Sequence, residues 1–148
     1  CGPGKPTAYQ LPYATVWNWL MTYSSLIAAA LLTFAVGVAH SWLGEHRLIG
    51  PLLAPDNRHG ILVHRFARQV LRFAWHVTTL AWWGFAAILG YMAFSPVGEA
   101  GRIILVITAL MFLITGAVVL MTSRGRHLAW PAFLAIGFLS LVPLLQAA

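Results

Sequence analysis

"IILVITALMFLITGAVVLMT", residues 103–122, carries no ionisable side chain. At helical rise, a run of about 20 residues spans the hydrocarbon core of a bilayer. A helix that is apolar on every side has no solvent face, so it belongs in a large core or in lipid. A chain of 148 residues is too short to surround such a helix and hide other apolar runs too. Working outward, residues 16–43 are uncharged, residues 73–94 contain only His76 as an ionisable group, and residues 128–145 are apolar around Pro131 and Pro143. The pattern predicts an all-α membrane protein: four transmembrane helices in an antiparallel bundle. The predicted spans are 16–43, 73–94, 103–122 and 128–145, within one domain over 16–148. Residues 1–15, with three prolines, two glycines and Lys5, read as an extended arm. The first helix is expected to run on to about Leu48 and the second to begin near Ile61.

Composition agrees. The chain is 60% hydrophobic and 8% charged, against about 25% charged in soluble domains. The formal charge is +6, but its basic residues flank apolar runs, which marks topology, and no nucleic-acid-binding module is present. Of the nine Lys and Arg, seven fall in two connections. Arg47, Arg58, Arg65, Arg68 and Arg72 lie between the first two spans, and Arg124 and Arg126 between the last two. Lys5 and Arg102 lie on the other side. The positive-inside rule places both arginine-rich connections in the cytoplasm and both termini on the periplasmic side of a bacterial inner membrane. Trp17, Trp19, Tyr9 and Tyr13 would then form the outer aromatic belt, and Trp42, Trp75 and Trp130 the inner one. Cys1, the single cysteine, excludes an internal disulfide and is a candidate lipidation site.

"HGILVHRFARQVLRFAWHVTTLAWWG" (59–84) runs from basic to apolar without a break. At 100° per residue, and with His64 at zero, Arg68 falls near 40°, Arg72 near 80°, Arg65 near 100° and His76 near 120°. Thr79, Trp83 and Gly90 continue the same arc. Arginines at a helix entrance reach lipid phosphates and hold the helix in register, and each basic residue near the surface attracts anionic lipid by roughly 1 kcal/mol. Arg65, Arg68, Arg72, Arg124 and Arg126 are therefore the predicted contacts to lipid or to a partner subunit. Glu45 is the acid near the end of the first span, with Arg72 or Arg47 as its expected partner, because an unpaired charge beside hydrocarbon is costly.

His40 ends the first span and His76 begins the second, so both imidazoles are expected at one depth. Ser25, Ala29, Thr33, Gly37 and Ser41 recur every four residues, a small-residue row that lets helix backbones approach closely. His40 adjoins that row. Two histidines on adjacent helices can hold a haem b, with Arg68 or Arg72 on its propionates and Trp75, Trp82 and Trp83 as walls. A quinone headgroup would use the same residues. His46, His59, His64 and His127 match no zinc spacing. Paired carboxylates are absent, a nucleophile–base pair is not legible, and the midplane lacks the polar groups of a transport path.

"HSWLGEHRLIGPLL" (40–53) and "RFAWHVTTLAWWGFAAIL" (72–89) resemble parts of small four-span bacterial membrane proteins. The resemblance covers about a third of the chain. It implies a four-helix fold in a bacterial inner membrane, and it implies no activity and no catalytic residue. The reading favoured by all these features is a non-catalytic, cofactor-free subunit or accessory protein of a larger membrane complex. It would dock through helix packing and its basic face, with the bilayer, anionic lipids and other subunits as partners. The alternative is a redox subunit with haem b between His40 and His76, or a quinone there.

Overall fold

The computed structural model describes residues 11–57 and 59–145, with side chains from Val16 onward. The described residues are all-helical, without strands. Four long helices carry the structure: α1 (Leu11–Gly44), α2 (Arg65–Ala93), α3 (Glu99–Ser123) and α4 (Ala129–Leu145). Two helical segments, Val16–Leu52 and Glu99–Ser123, are long and apolar enough to cross a membrane, and α4 is apolar but shorter.

Residues 11–15 are helix and not part of an extended arm, because α1 begins at Leu11. The rest of the predicted arm, with Cys1, Lys5 and Tyr9, lies outside the described residues. At its other end α1 passes into a wider π turn, Glu45–Ile49, and a further helical turn, Gly50–Leu52. Pro51 gives the physical reason. It has no N–H to donate, and its ring crowds the carbonyl one turn earlier, so a wider turn relieves both problems. Gly50 closes that turn by donating its N–H to the Glu45 carbonyl, and a Cβ there would lie 2.7 Å from that oxygen. α2 begins at Arg65, four residues later than expected from the hydropathy, because Gly60–Val63 forms a separate 3-10 turn and His64 is extended. α3 ends in a left-handed Arg124 (φ 50°) followed by Gly125 (φ 78°). Gly125 donates to the Leu120 carbonyl and Arg124 to that of Met121, which satisfies two carbonyls at the helix end.

α1 packs against α2 and α4, and α3 packs against α4. The core joins Leu26, Ala29 and Ala30 of α1, Leu89 and Met92 of α2, Leu105 and Phe112 of α3, and Phe133 and Ile136 of α4. The small-residue row is buried as read: Ser25, Ala29 and Thr33 are almost inaccessible. Burying hydroxyls there costs little, since Ser25 and Thr33 donate to the carbonyls of Thr22 and Ala29 in their own helix. α3 and α4 approach as closely, with Gly116 under Leu134 and Gly137 under Leu113. Between α2 and α3 the gap is filled by rings, Phe85 meeting Phe112 edge-on at 6.0 Å.

The contacts of α1 with α2 follow a strict order. Tyr23 meets Phe94, a Cβ on Gly90 would touch Ala30, Phe34 meets Trp83, His40 meets Trp75, and Glu45 meets Arg72. Numbers fall in one helix as they rise in the other. The connection 45–64 therefore gathers at the end of the helix pair that holds Glu45 and Arg72. Asn18, Thr22, Phe94, Pro96 and Pro143 line a concavity at the opposite end.

Candidate functional site: the junction of α1 and α2

The polar residues of the chain converge where α1 ends and α2 enters. Two glycines create the approach. A Cβ on Gly37 would lie 2.7 Å from Nε1 of Trp83, and a Cβ on Gly44 would overlap the indole of Trp75. Both rings belong to the α2 face that the arginine arc continues into, so this face turns from a basic groove into the α1 contact surface. Each indole also donates to a carbonyl of α1, Trp75 to His40 and Trp83 to Phe34, both at 3.3 Å.

Three carboxylate and imidazole contacts close the junction. Glu45 Oε1 lies 2.9 Å from Arg72 Nη2, and Glu45 Oε2 lies 3.3 Å from His76 Nε2. Of the two arginines the sequence offered, Arg72 is the partner. His76 Nδ1 lies 2.7 Å from Ser41 Oγ. A carboxylate only accepts, so Nε2 carries a proton toward Glu45, and in the neutral ring Nδ1 accepts the Ser41 hydroxyl proton. Sequence reasoning missed this pair. Ser41 was read as a member of a packing row, and a hydroxyl-to-imidazole bond between residues 35 apart leaves no local trace.

The order Ser41–His76–Glu45 has the connectivity of a nucleophile–base–carboxylate relay. It lacks the rest of such a site. Ser41 lies within α1, where backbone N–H groups are engaged by helix carbonyls and cannot receive an oxyanion. Neither concavity of the fold includes Ser41. The relay ties two helices together.

His40 lies in a different setting. Its ring stacks on Trp75 at 4.3 Å and meets the edge of Trp82 at 4.7 Å. Its Nε2 lies 3.0 Å from Thr78 Oγ1, which itself donates to the Trp75 carbonyl at 2.7 Å. Thr78 therefore accepts from His40. Interhelical bonds of this kind average about 0.6 kcal/mol between apolar helices. Thr78→Val is accordingly expected to lower stability in detergent by about that amount, read by unfolding in SDS. A loss several-fold larger would show that His40 is held mainly by this bond and not by its two indoles.

The expectation that His40 and His76 face each other across a slot is not met. A haem iron needs a free nitrogen from each ring, and a quinone head needs a free edge. Both nitrogens of His76 are engaged, by Ser41 and Glu45, and Nε2 of His40 is engaged by Thr78. Trp75 and Trp82 pack against His40 itself, while Trp83 stacks on Phe34 farther along. The residues present do not fit a haem or a quinone held between these two histidines. Among the described residues no group of three or more His, Cys, Asp or Glu could hold a metal ion.

The arginine face forms a second feature. Arg65, Arg68 and Arg72 line one open concavity of about 480 Å³ with Leu53, Gln69 and Phe73. Phe73 was placed off the arc by helical geometry, yet it forms a wall, because the Leu53 turn closes the groove from the side. Arg68 Nη1 donates to the carbonyls of Leu62 and Val63 at 2.8 and 2.7 Å, fastening the 3-10 turn to α2. His76, the deepest member of the arc, turns away to Glu45. Arg124 and Arg126 stand apart, at the turn between α3 and α4.

Compared with protein-family models, curated proteins and solved structures, the chain gives no match.

Proposed function

We propose that the chain is a non-catalytic integral-membrane subunit of a larger bacterial inner-membrane complex. Its four helices span the bilayer as an antiparallel bundle. The arginine-rich connections face the cytoplasm and the termini face the periplasm. The order of contacts between α1 and α2 supports the antiparallel arrangement, and the asymmetry of seven basic residues against two supports the orientation.

The observation that carries the docking reading is a ridge on α3. Ile103, Ile107, Leu110, Ile114, Val118 and Met121 follow one another three or four positions apart, and each is more than half exposed. Their spacing makes one continuous apolar stripe, the form in which a helix presents a packing seam. The polar groups of the α1–α2 junction, in contrast, are engaged with each other, so the chain offers surfaces and not a reacting group.

A photo-activated cross-linker at Ile114 tests this reading in native membranes. The expected product is one discrete adduct with a larger membrane protein. The same cross-linker at Leu31, exposed on α1 away from the ridge, should give none. An adduct of twice the chain's own mass would mean self-association. Lipid adducts alone would mean that the ridge faces only the bilayer. Either outcome overturns the subunit reading.

A further inference from the structure

We propose that the groove formed by Arg65, Arg68 and Arg72 is a binding site for the phosphate headgroup of an anionic phospholipid. The inference rests on the membrane placement proposed above.

The charge within the groove needs an anion. Three guanidiniums line it, and one carboxylate, Glu45, answers them through Arg72. Two positive charges are left over in a concavity of about 480 Å³, which exceeds what a phosphate and its glycerol require. Like charges gathered this closely repel each other, and a bound anion removes that repulsion.

The donors are already aimed. Arg68 is held by two backbone carbonyls and Arg72 by Glu45, and each uses one terminal nitrogen for this contact. A guanidinium has five N–H donors in a fixed fork, so both retain donors for phosphate oxygens. Holding a side chain in advance reduces the ordering cost of binding. Arg65, one turn before Arg68, supplies the third guanidinium. Gln69 adds an amide that suits a headgroup hydroxyl.

Depth and shape select a lipid over free phosphate. The groove has an apolar side, Leu53 and Phe73, and the outward rings of Phe66 and Phe73 flank it, 76% and 69% exposed. Directly after Arg72, α2 enters a stretch whose sole ionisable residue is His76. The guanidiniums therefore sit at the level of headgroups, with a wall for acyl chain on the hydrocarbon side.

Native mass spectrometry of the full chain, released from mild detergent with defined lipids, tests the site. Phosphatidylglycerol should be retained at least ten-fold better than phosphatidylcholine. Arg65→Gln should lower retention about five-fold, the effect of one basic residue near a membrane surface, and Gln69→Glu should lower it at least as much. Neither residue is tied to another element of the fold. Arg126→Gln, outside the groove, should change nothing. Equal retention of the two lipids, or equal losses in Arg65→Gln and Arg126→Gln, would reduce the groove to a diffuse basic belt. Displacement of the lipid by millimolar inorganic phosphate would identify a free-anion site instead and overturn the lipid assignment. Alkaline extraction of reconstituted vesicles separates the two claims. A chain that stays with the vesicles but shows no lipid preference loses only the groove, whereas a chain that is released loses the membrane placement as well.

Discussion

Gly44→Leu will separate α1 from α2 at their charged end. Even a Cβ at this position overlaps the indole of Trp75, and leucine adds three more carbons. The ring has no easy escape. It is stacked on His40 with 9° between the planes, and its Nε1 donates to the His40 carbonyl. Overpacking a tight site costs about 1–3 kcal/mol for a few methylenes. With a rigid ring as the obstacle, the leucine variant should lose about 3 kcal/mol or more. Reversible unfolding in mixed micelles, followed by tryptophan fluorescence, measures it. A double-mutant cycle identifies the cause. Gly44→Ala and Trp75→Phe should each destabilise, and together they should cost less than their sum, because the smaller ring vacates the space the new methyl needs. If Gly44→Leu stays within about 0.5 kcal/mol of the parent, the close approach is not what holds the helices.

Glu45→Ala will have the second-largest effect. It leaves Arg72 and His76 facing each other with no carboxylate between them. Exposed pairs contribute about 0.2–1 kcal/mol, and breaking a buried pair costs about 3–5 kcal/mol. The side chains of Arg72 and Glu45 are 51% and 30% accessible, which places the loss near 2 kcal/mol by interpolation between those limits. The same SDS unfolding assay reads it. Glu45→Ala combined with Arg72→Ala should be less damaging than Glu45→Ala alone, because no unpaired guanidinium then remains. A single variant as stable as the parent at low salt would show the pair to be a surface contact of little weight.

Gly44 and Glu45 are neighbours in sequence, and both act on α2 through different physics. The glycine provides a space and the glutamate a charge. Because the two effects meet on consecutive turns of α2, at Trp75 and at Arg72 and His76, the junction is a small region on which the alignment of the two helices depends. The groove proposed to hold lipid shares Arg72 with it. Occupancy of the groove and stability of the junction are therefore coupled through one guanidinium.

Much of the architecture was legible in the residues alone. Residues 103–122 had to be helix, since a long uncharged run can satisfy its backbone polar groups away from water only within itself. The row from Ser25 to Ser41 announced the face of α1 that would be buried, because a four-residue repeat of small side chains is a local property of one helix. The arginine arc was visible for the same reason. The pairing of Glu45 with an arginine followed from charge, though not which arginine.

What remained hidden depended on residues far apart in the chain. Ser41 on His76, Trp75 on Gly44 and His40 between two indoles require the rotation and offset of α1 against α2, and no window of sequence holds both helices. The histidine pair illustrates this. Equal depth was read correctly as nearness to the same end, but depth does not set the direction of a ring, and the two imidazoles took different partners. The π turn at Glu45–Ile49 escaped notice because Pro51 could equally have ended the helix. Hydropathy and periodicity are sums along one segment, and they settle which segments are helical and which faces are apolar. The choice of partner for each polar side chain is made between segments, by packing distances of a few ångströms, and it belongs to the folded structure.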